Sequence, residues 1–382
     1  MTHFTCKQPA LDRALTMVSR ALAAHPTLPI LASVLISADD AQVTLTTTNL
    51  EIGIKVEIDA EIIEAGSFCL PAKLFQEFIH SLPADLIEVL VEAGSWTAHL
   101  KSLHSDAHIR GLDAAEYPSL PSCEKSLLVH LEAALLKEMI GQVAFATAKD
   151  DSCPVLTGIL LQLRETAISL AAADAFRLAV RHAETKQNTE REHRDLLIPG
   201  KTLGELARCL PNEGLVELLV SANQSQVLFR APGLEVVSQL IEGNFPAYET
   251  IIPKNYTTRV VLNRSELAAA IKSAALFARE NSNITKLTVK APESDLGNGS
   301  VVLEAAAEDI GDGTSVLDAS VEGPGVTMLF SSKYLAEAVA AITTEEAAIE
   351  LTTTAKPGVL KSVGADAPDQ LYIVMPMFKQ QH

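Results

Sequence analysis

The chain has 382 residues, 48 % hydrophobic and 20 % charged, which excludes a disordered or low-complexity polymer and predicts two or three domains. Aromatic residues make up only 4 %, so the core must be built from aliphatic side chains and alanine. Its 30 basic and 48 acidic residues give a formal charge of −18, which rules out a uniformly basic nucleic-acid binder but leaves room for a basic face.

From the N-terminus, the spacing of Leu11, Leu15 and Val18 predicts an amphipathic helix over residues 7–24. The uncharged run Ala21–Ala38 contains Pro26 and Pro29, and reads as a helix end, a turn and a strand rather than a membrane span. Alternation in Val43-Thr-Leu-Thr-Thr-Thr48 predicts a strand. Leu70-Pro-Ala-Lys73 then leads into a short helix over 72–82. The same order returns with helices over 133–149 and 200–210 and the alternating Ile168-Ser-Leu-Ala-Ala-Ala173, and again with helices over 264–280 and 331–343.

The recurrence is visible in the letters. Leu70-Pro-Ala-Lys73 to Leu82-Pro83 matches Ile198-Pro-Gly-Lys201 to Leu210-Pro211. Leu11, Leu15, Val18, Pro29, Leu31, Leu45 and Asn49 fall on Leu136, Ile140, Val143, Pro154, Leu156, Leu170 and Asp174, and Leu267, Ile271 and Leu287 continue the series. The third copy carries its extra length around Ser294–Ser300. Three copies of a unit of about 125 residues, each α+β with two helices, is the expected architecture. Pro118, Pro121 and Pro253 mark loops and place domains at 1–125, 126–257 and 258–382.

The six predicted helices hold twelve basic and seven acidic residues, a balance of +5 that leaves −23 on strands and loops. Lysine and arginine are good helix formers, so this bias alone has an ordinary explanation. The alternative is that all six helices share one side and face a polyanion, gripping phosphates without reading sequence. On that reading Arg13, Arg20, Lys73, Lys137, Lys149, Lys201, Arg208 and Lys272 contact the polyanion.

Catalytic constellations are missing. Gly200-Lys201-Thr202 resembles the end of a phosphate loop, but Asp195 stands where its first glycine belongs. Ser105, Asp106 and His108 supply triad residue types on an alternating strand, where i and i+3 point apart. Asp150-Asp151 and Asp309/Asp312 lack ligand spacing, and the ten histidines form no H-E-x-x-H. Cys6, Cys69, Cys123, Cys153 and Cys209 are scattered without a C-x-x-C pair, which speaks against disulfides and zinc and for a reducing compartment. Met1-Thr2-His3-Phe4 opens no signal peptide, so a cytoplasmic protein without cofactor or metal is expected.

Pro26-Thr-Leu-Pro-Ile-Leu31, Ala173-Asp-Ala-Phe-Arg-Leu-Ala179, Phe245-Pro-x-Tyr248, Pro253-Lys-Asn255 and Tyr372-Ile-Val-Met-Pro-Met377 occur in this order. With the threefold repeat, they make the chain resemble the bacterial DNA polymerase III beta-subunit (beta sliding clamp) family over its whole length. The resemblance implies a clamp fold, closed into a ring by a head-to-tail homodimer around duplex DNA, and no catalysis of its own. It implies short-motif partners, namely the replicative polymerase, the clamp loader and repair proteins, and no membrane. Their pocket would use Leu156, Ala173, Arg177, Leu178, Pro246, Ile251, Ile373, Val374, Met375, Pro376 and Met377. The subunit contact would set Ala107 and Ile109 against Leu276 and Phe277, and His25 would stand where the family often has a DNA-contacting Arg.

The chain departs from the family at Ala175-Phe176, where Gly-His is common. It also departs at the loop Lys149-Asp-Asp-Ser-Cys153, at Glu249 and Thr250, and in Phe378–His382 beyond Met377. These differences keep open a specialised plasmid, phage or resistance-associated paralogue with altered partners. An enzyme of unknown specificity is the remaining alternative.

Overall fold

Apolar residues three and four apart put one face of each helix onto the core, and the six predicted helices all form, each a little shorter than the spacing suggests. The structure is a computed structural model that describes residues 1–382 apart from 24, 25, 27, 40, 41, 93, 119, 121–124, 151, 186–192, 281, 293–297 and 379–382. His25, Pro121, Cys123, Asp151, much of the Ser294–Ser300 turn and the last four residues therefore lie outside the described residues.

Helix α1 (Gln8–Val18) buries Leu11, Ala14, Leu15 and Val18, then tightens into a 3-10 turn, Ser19–Ala21. The Ser19 hydroxyl marks that change, donating 2.6 Å to the Leu15 carbonyl. α2 (Ala72–Ser81) buries Phe75 and Ile79. α3 (Ala133–Val143) also ends in a 3-10 turn, Ala144–Ala146. α4 is Gly200–Cys209, α5 Arg264–Ala278 and α6 Ser332–Ala341. At the start of α5 the Asn263 side chain accepts from the N–H groups of Ser265 and Glu266, satisfying two otherwise unpaired donors.

The chain folds as two compact units. The first comprises Met1–Lys137 with Lys201–Leu240, the second Glu138–Lys186 with Arg191–Gly200 and Ile241–His382. In the first, an antiparallel sheet runs in the order Lys125–Glu132, Leu215–Ser221, Gln226–Ala231, Leu234–Gln239, Ile52–Glu64, Thr2–Lys7, Leu86–Val91, Thr97–Lys101, Asp106–Arg110. The 13-residue strand Ile52–Glu64 is the hinge of this order: Ile52–Val56 pair with Leu234–Ser238, and Ala60–Glu64 with the N-terminal strand. Strands of the first and second sequence copies thus share one hydrogen-bonded ladder. α1 packs on α2 and on this long strand.

In the second unit the order is Arg194–Pro199, Gly158–Arg164, Ala167–Ala173, Arg177–Glu184, Gln370–Val374, Gly358–Val363, Glu346–Leu351, Thr258–Asn263, Gly311–Glu322, Gly299–Ala307, Ile284–Lys290, Val326–Ser331. Here the second copy joins the third through the pairing of Arg177–Arg181 with Gln370–Val374. α5 packs on α6 and on the strands Gly299–Ala307 and Gly311–Glu322. Residues 126–257 therefore give strands to both sheets, and compactness follows the ladders rather than the sequence repeat.

Burial pushes the thiols of Cys6 and Cys69 up to about 12 and that of Cys209 up to about 11, so none of the three is a ready thiolate. Among the described residues no helix is long and apolar enough to cross a membrane. Gly111 closes the last strand of the first sheet, its N–H donating 2.8 Å to Trp96 O. A Cβ there would stand 2.2 Å from Cys69 O and 2.7 Å from Trp96 O, both rigid backbone atoms. Gly111→Ala should therefore lower stability by about 1–3 kcal/mol, read as a fall in the urea midpoint. An unchanged midpoint would mean that the neighbouring backbone yields freely.

Candidate functional site

Three surfaces gather the residues singled out by sequence. The first is cationic. Opposite the buried stripes, α1 exposes Arg13, α2 exposes Lys73, and α4 exposes Lys201 and Arg208. Arg20, in the turn after α1, donates 3.0 Å to Glu205 Oε2 of α4, and Arg208 donates to the other oxygen of the same carboxylate. Glu205 thus holds two guanidinium groups side by side at the cost of part of their charge. Lys137 is half-buried and donates 2.9 Å to Asn212 Oδ1. In the second unit Lys272 is exposed on α5, on the side away from buried Leu267, Ile271 and Ala274, and Lys149 is exposed beyond α3.

The second is an apolar cluster in the second unit, its central side chains buried and its margin half-buried. Register lines up Ala173 with Leu178, Leu178 with Ile373, and Ile373 with Val359, so four apolar side chains form one row across four strands. A parallel row sets Ala171 beside Val180 and Val180 beside Leu371. Leu160, Leu197 and Tyr248 complete the cluster, with Val155, Ile241, Phe245 and Ile252 half-buried at its margin. The Tyr248 hydroxyl is fixed by a 3.0 Å bond to Gln162 Oε1, which orients the ring.

Of the sequence-derived pocket residues, Ala173, Leu178 and Ile373 sit in this cluster. Val374, next along the strand, is buried on the opposite face. Leu156 is half-buried in the 3-10 turn Pro154–Thr157, while Pro246 and Ile251 are exposed beside Phe245 and Ile252. After the strand ends, Met375 N–H donates 2.9 Å to Phe176 O and Met377 N–H donates 2.8 Å to Leu329 O. The terminal segment is thereby tied down with both Met side chains half-buried.

Arg177 is set apart from the row. Its Nε donates 3.0 Å to Asp174 Oδ2, its other end meets Glu337, and the guanidinium carbon lies 4.6 Å from the Tyr334 ring centroid and 5.4 Å from that of Phe145. With both carboxylates engaged and the side chain only 4 % exposed, it locks the turn Asp174–Phe176 rather than offering a free charge. Phe176, 56 % exposed, stacks on Tyr334 at 6.2 Å. Val359, Ile241, Val155 and Tyr248 belong to the cluster without being among the sequence-derived pocket residues. Tyr248 is part of the Phe245-Pro-x-Tyr248 motif, whereas Val359 is recognisable only once its register against Ile373 is known.

The third surface is a pair of strand edges. Asp106–Arg110 ends the first sheet and pairs only with Thr97–Lys101 among the described residues. Within it Ile109 is buried and Ala107 half-buried. In the second unit, Gly311–Ala319 pair with Gly299–Ala307, but the pairing with Thr258–Asn263 involves only Ser320–Glu322, which leaves one edge of 311–319 open among the described residues. On the adjoining α5, Leu276 is 60 % exposed, and Phe277 is half-buried against Ala274, Ala278 and Ala305.

Comparison with known proteins covers the whole chain. Three consecutive family models match: the N-terminal domain of the DNA polymerase III beta subunit at residues 2–121, its central domain at 130–247, and its C-terminal domain at 249–378. The beta sliding clamp of Staphylococcus aureus is 33 % identical over 383 residues, covering 98 % of this chain and 99 % of that one. The Staphylococcus epidermidis beta sliding clamp is 32 % identical with the same coverage. Among solved structures, the DNA polymerase sliding clamp of Bacillus subtilis superposes with a TM-score of 0.91 at 28 % identity, over 99 % of this chain and 100 % of its own. The DNA polymerase III beta subunit of Thermotoga maritima gives 0.89 at 26 % identity, over 100 % of both chains. By sequence and by fold, the chain belongs to the DNA polymerase III beta-subunit family, the beta sliding clamps.

Proposed function

We propose that this chain works as a DNA sliding clamp for DNA polymerase III, closing as a head-to-tail homodimer around duplex DNA. The observation that carries the reading is the match of three successive beta-subunit domains along essentially the full length. On this reading the domains are 1–125, 126–257 and 258–382, and the protein is a cytoplasmic, non-catalytic processivity factor. The strand edges 106–110 and 311–319 meet across the subunit boundary, so that main-chain pairing continues from one copy to the next. Leu276 supplies an exposed apolar anchor beside that boundary, with Phe277 next to it, and on the other copy Ala107 and Ile109 stand against them.

Arg13, Lys73, Lys149, Lys201 and Lys272 are exposed cations that can meet phosphate, with Arg20 and Arg208 tempered by their shared bond to Glu205 and Lys137 by its bond to Asn212. Such contacts are indifferent to base sequence, and a closed ring converts weak binding into long residence. The row Ala173–Leu178–Ile373–Val359, flanked by Pro246, Ile251, Leu156 and Met375, is the docking place for short motifs of polymerase, clamp loader and repair proteins. Half-buried Met side chains at its end suit several apolar anchors.

Three measurements test the reading. Because Leu276 is exposed, Leu276→Asp should fold normally yet sediment as a monomer of 40.8 kDa, the lost anchor costing about 2 kcal/mol or more. A persistent dimer removes Leu276 from the interface. Lys73→Ala, Lys201→Ala, Arg208→Ala and Lys272→Ala combined should flatten the salt dependence of binding to linear duplex, by roughly 0.9 in log–log slope per lost contact. An unchanged slope places DNA elsewhere. A short peptide with two or three apolar anchors should bind at a Kd on the order of micromolar, and deleting residues 375–382 should abolish this while sparing the dimer. Full affinity in the truncated chain would move the partner site.

A further inference from the structure

The hairpin that ends the first sheet carries a constellation the proposed function does not use. Register sets His99 on Thr97–Lys101 directly opposite His108 on Asp106–Arg110, and Lys101 opposite Asp106. Alternation buries Ala98, Leu100 and Ile109 on one face and turns His99, Asp106 and His108 to the other. The two imidazole rings stack with centroids 4.2 Å apart and planes inclined by 13°. His99 Nε2 lies 2.7 Å from Asp106 Oδ1, and His108 Nδ1 lies 3.9 Å from the same oxygen. One donor atom from each residue lies within 4.8 Å of the other two.

We propose that His99, Asp106 and His108 bind a divalent transition metal of the zinc class. Zinc–nitrogen and zinc–oxygen bonds of about 2.0–2.2 Å put tetrahedral donors about 3.3 Å apart, a spacing these atoms reach by side-chain rotation alone. Two imidazoles and one carboxylate select zinc, cobalt or nickel over magnesium or calcium, which require oxygen ligands throughout. The donors stand on two hydrogen-bonded strands, so the site needs no backbone rearrangement. His108, its side chain 64 % exposed, admits the ion and leaves a coordination position for water. Lys101 and Arg110 project from the same face and oppose a cation, with Glu88, opposite Lys101, offsetting part of that charge. The balance sets affinity in the micromolar rather than the nanomolar range.

H-E-x-x-H, absent from the sequence, is the spacing of a helix face. Here the ligands are nine residues apart and meet only because a turn folds the strands together. The ligands belong to one hairpin of one chain, whose outer strand 106–110 is also the edge placed at the subunit boundary above, so binding and hydrogen exchange are measured on Leu276→Asp as well, with the same result expected.

The test uses the full chain, titrated calorimetrically with zinc chloride and, in parallel, with cobalt(II) followed by visible absorption. One saturable ion per chain is expected at a Kd on the order of micromolar. His99→Ala and His108→Ala should each weaken it by at least about tenfold, since even groups that merely support a ligand cost that much. Lys101→Gln should tighten binding, and magnesium should neither bind nor compete. Because the ion clips two strands, zinc should slow amide hydrogen exchange across residues 106–110 in the unaltered chain and not in the variants. Circular dichroism confirms that the variants fold. Absence of saturable binding, or zinc retained by the His99→Ala/His108→Ala double variant, overturns the proposal and assigns any uptake to other histidines.

Discussion

Buried main-chain N–H and C=O groups must be paired, and in this protein antiparallel ladders meet that demand across the boundaries of its sequence repeats. Ile52–Glu64 binds the N-terminal strand at one end and Leu234–Ser238 at the other, so two copies become one sheet. Arg177–Arg181 and Gln370–Val374 do the same for the second and third copies. Everything else is arranged around these seams. The helices press Leu11 and Leu15, or Leu267 and Ile271, into the protein and are left with one face for charge.

That division reconciles an acidic chain with a polyanionic partner. A net charge of −18 describes long-range repulsion, whereas phosphate contact is decided within a Debye length of about 8–10 Å. Arg13, Lys73, Lys201 and Lys272 sit exposed on helices whose basic residues together outnumber the acidic ones. Glu77, one turn from Lys73, and Glu205 are acidic residues among them. By holding Arg20 and Arg208 together Glu205 trades net charge for a fixed orientation.

The apolar cluster depends on the same ladders. Ala173, Leu178, Ile373 and Val359 come from four strands and become neighbours only through register. Arg177, one position before Leu178, alternates to the other face and is consumed by Asp174, Glu337 and two aromatic rings. It fixes the turn whose Phe176 carbonyl then anchors Met375. Arg177, which the family resemblance places in the partner pocket, is thus a structural brace in this chain. The departure at Ala175-Phe176 falls on this brace and adds an exposed aromatic ring stacked on Tyr334.

Much of this was legible in the letters, because local physics wrote it. The 3.6-residue spacing of Leu11, Leu15 and Val18, the alternation in Val43–Thr48, and the matching Leu70-Pro-Ala-Lys73 and Ile198-Pro-Gly-Lys201 determined the helices, the strands and the repeat without reference to partners. The ordered motifs were enough to indicate the family. Helix ends were less legible, since a hydroxyl such as that of Ser19 competes for a carbonyl in a way that periodicity does not reveal. Only the tertiary structure decided which strands of different copies pair, and hence that compact units cut across the repeat, that Val359 joins Leu178, and that His99 faces His108. Those are contacts between residues far apart in the chain, or across a turn, and their register is chosen by the burial of whole faces rather than by any local pattern.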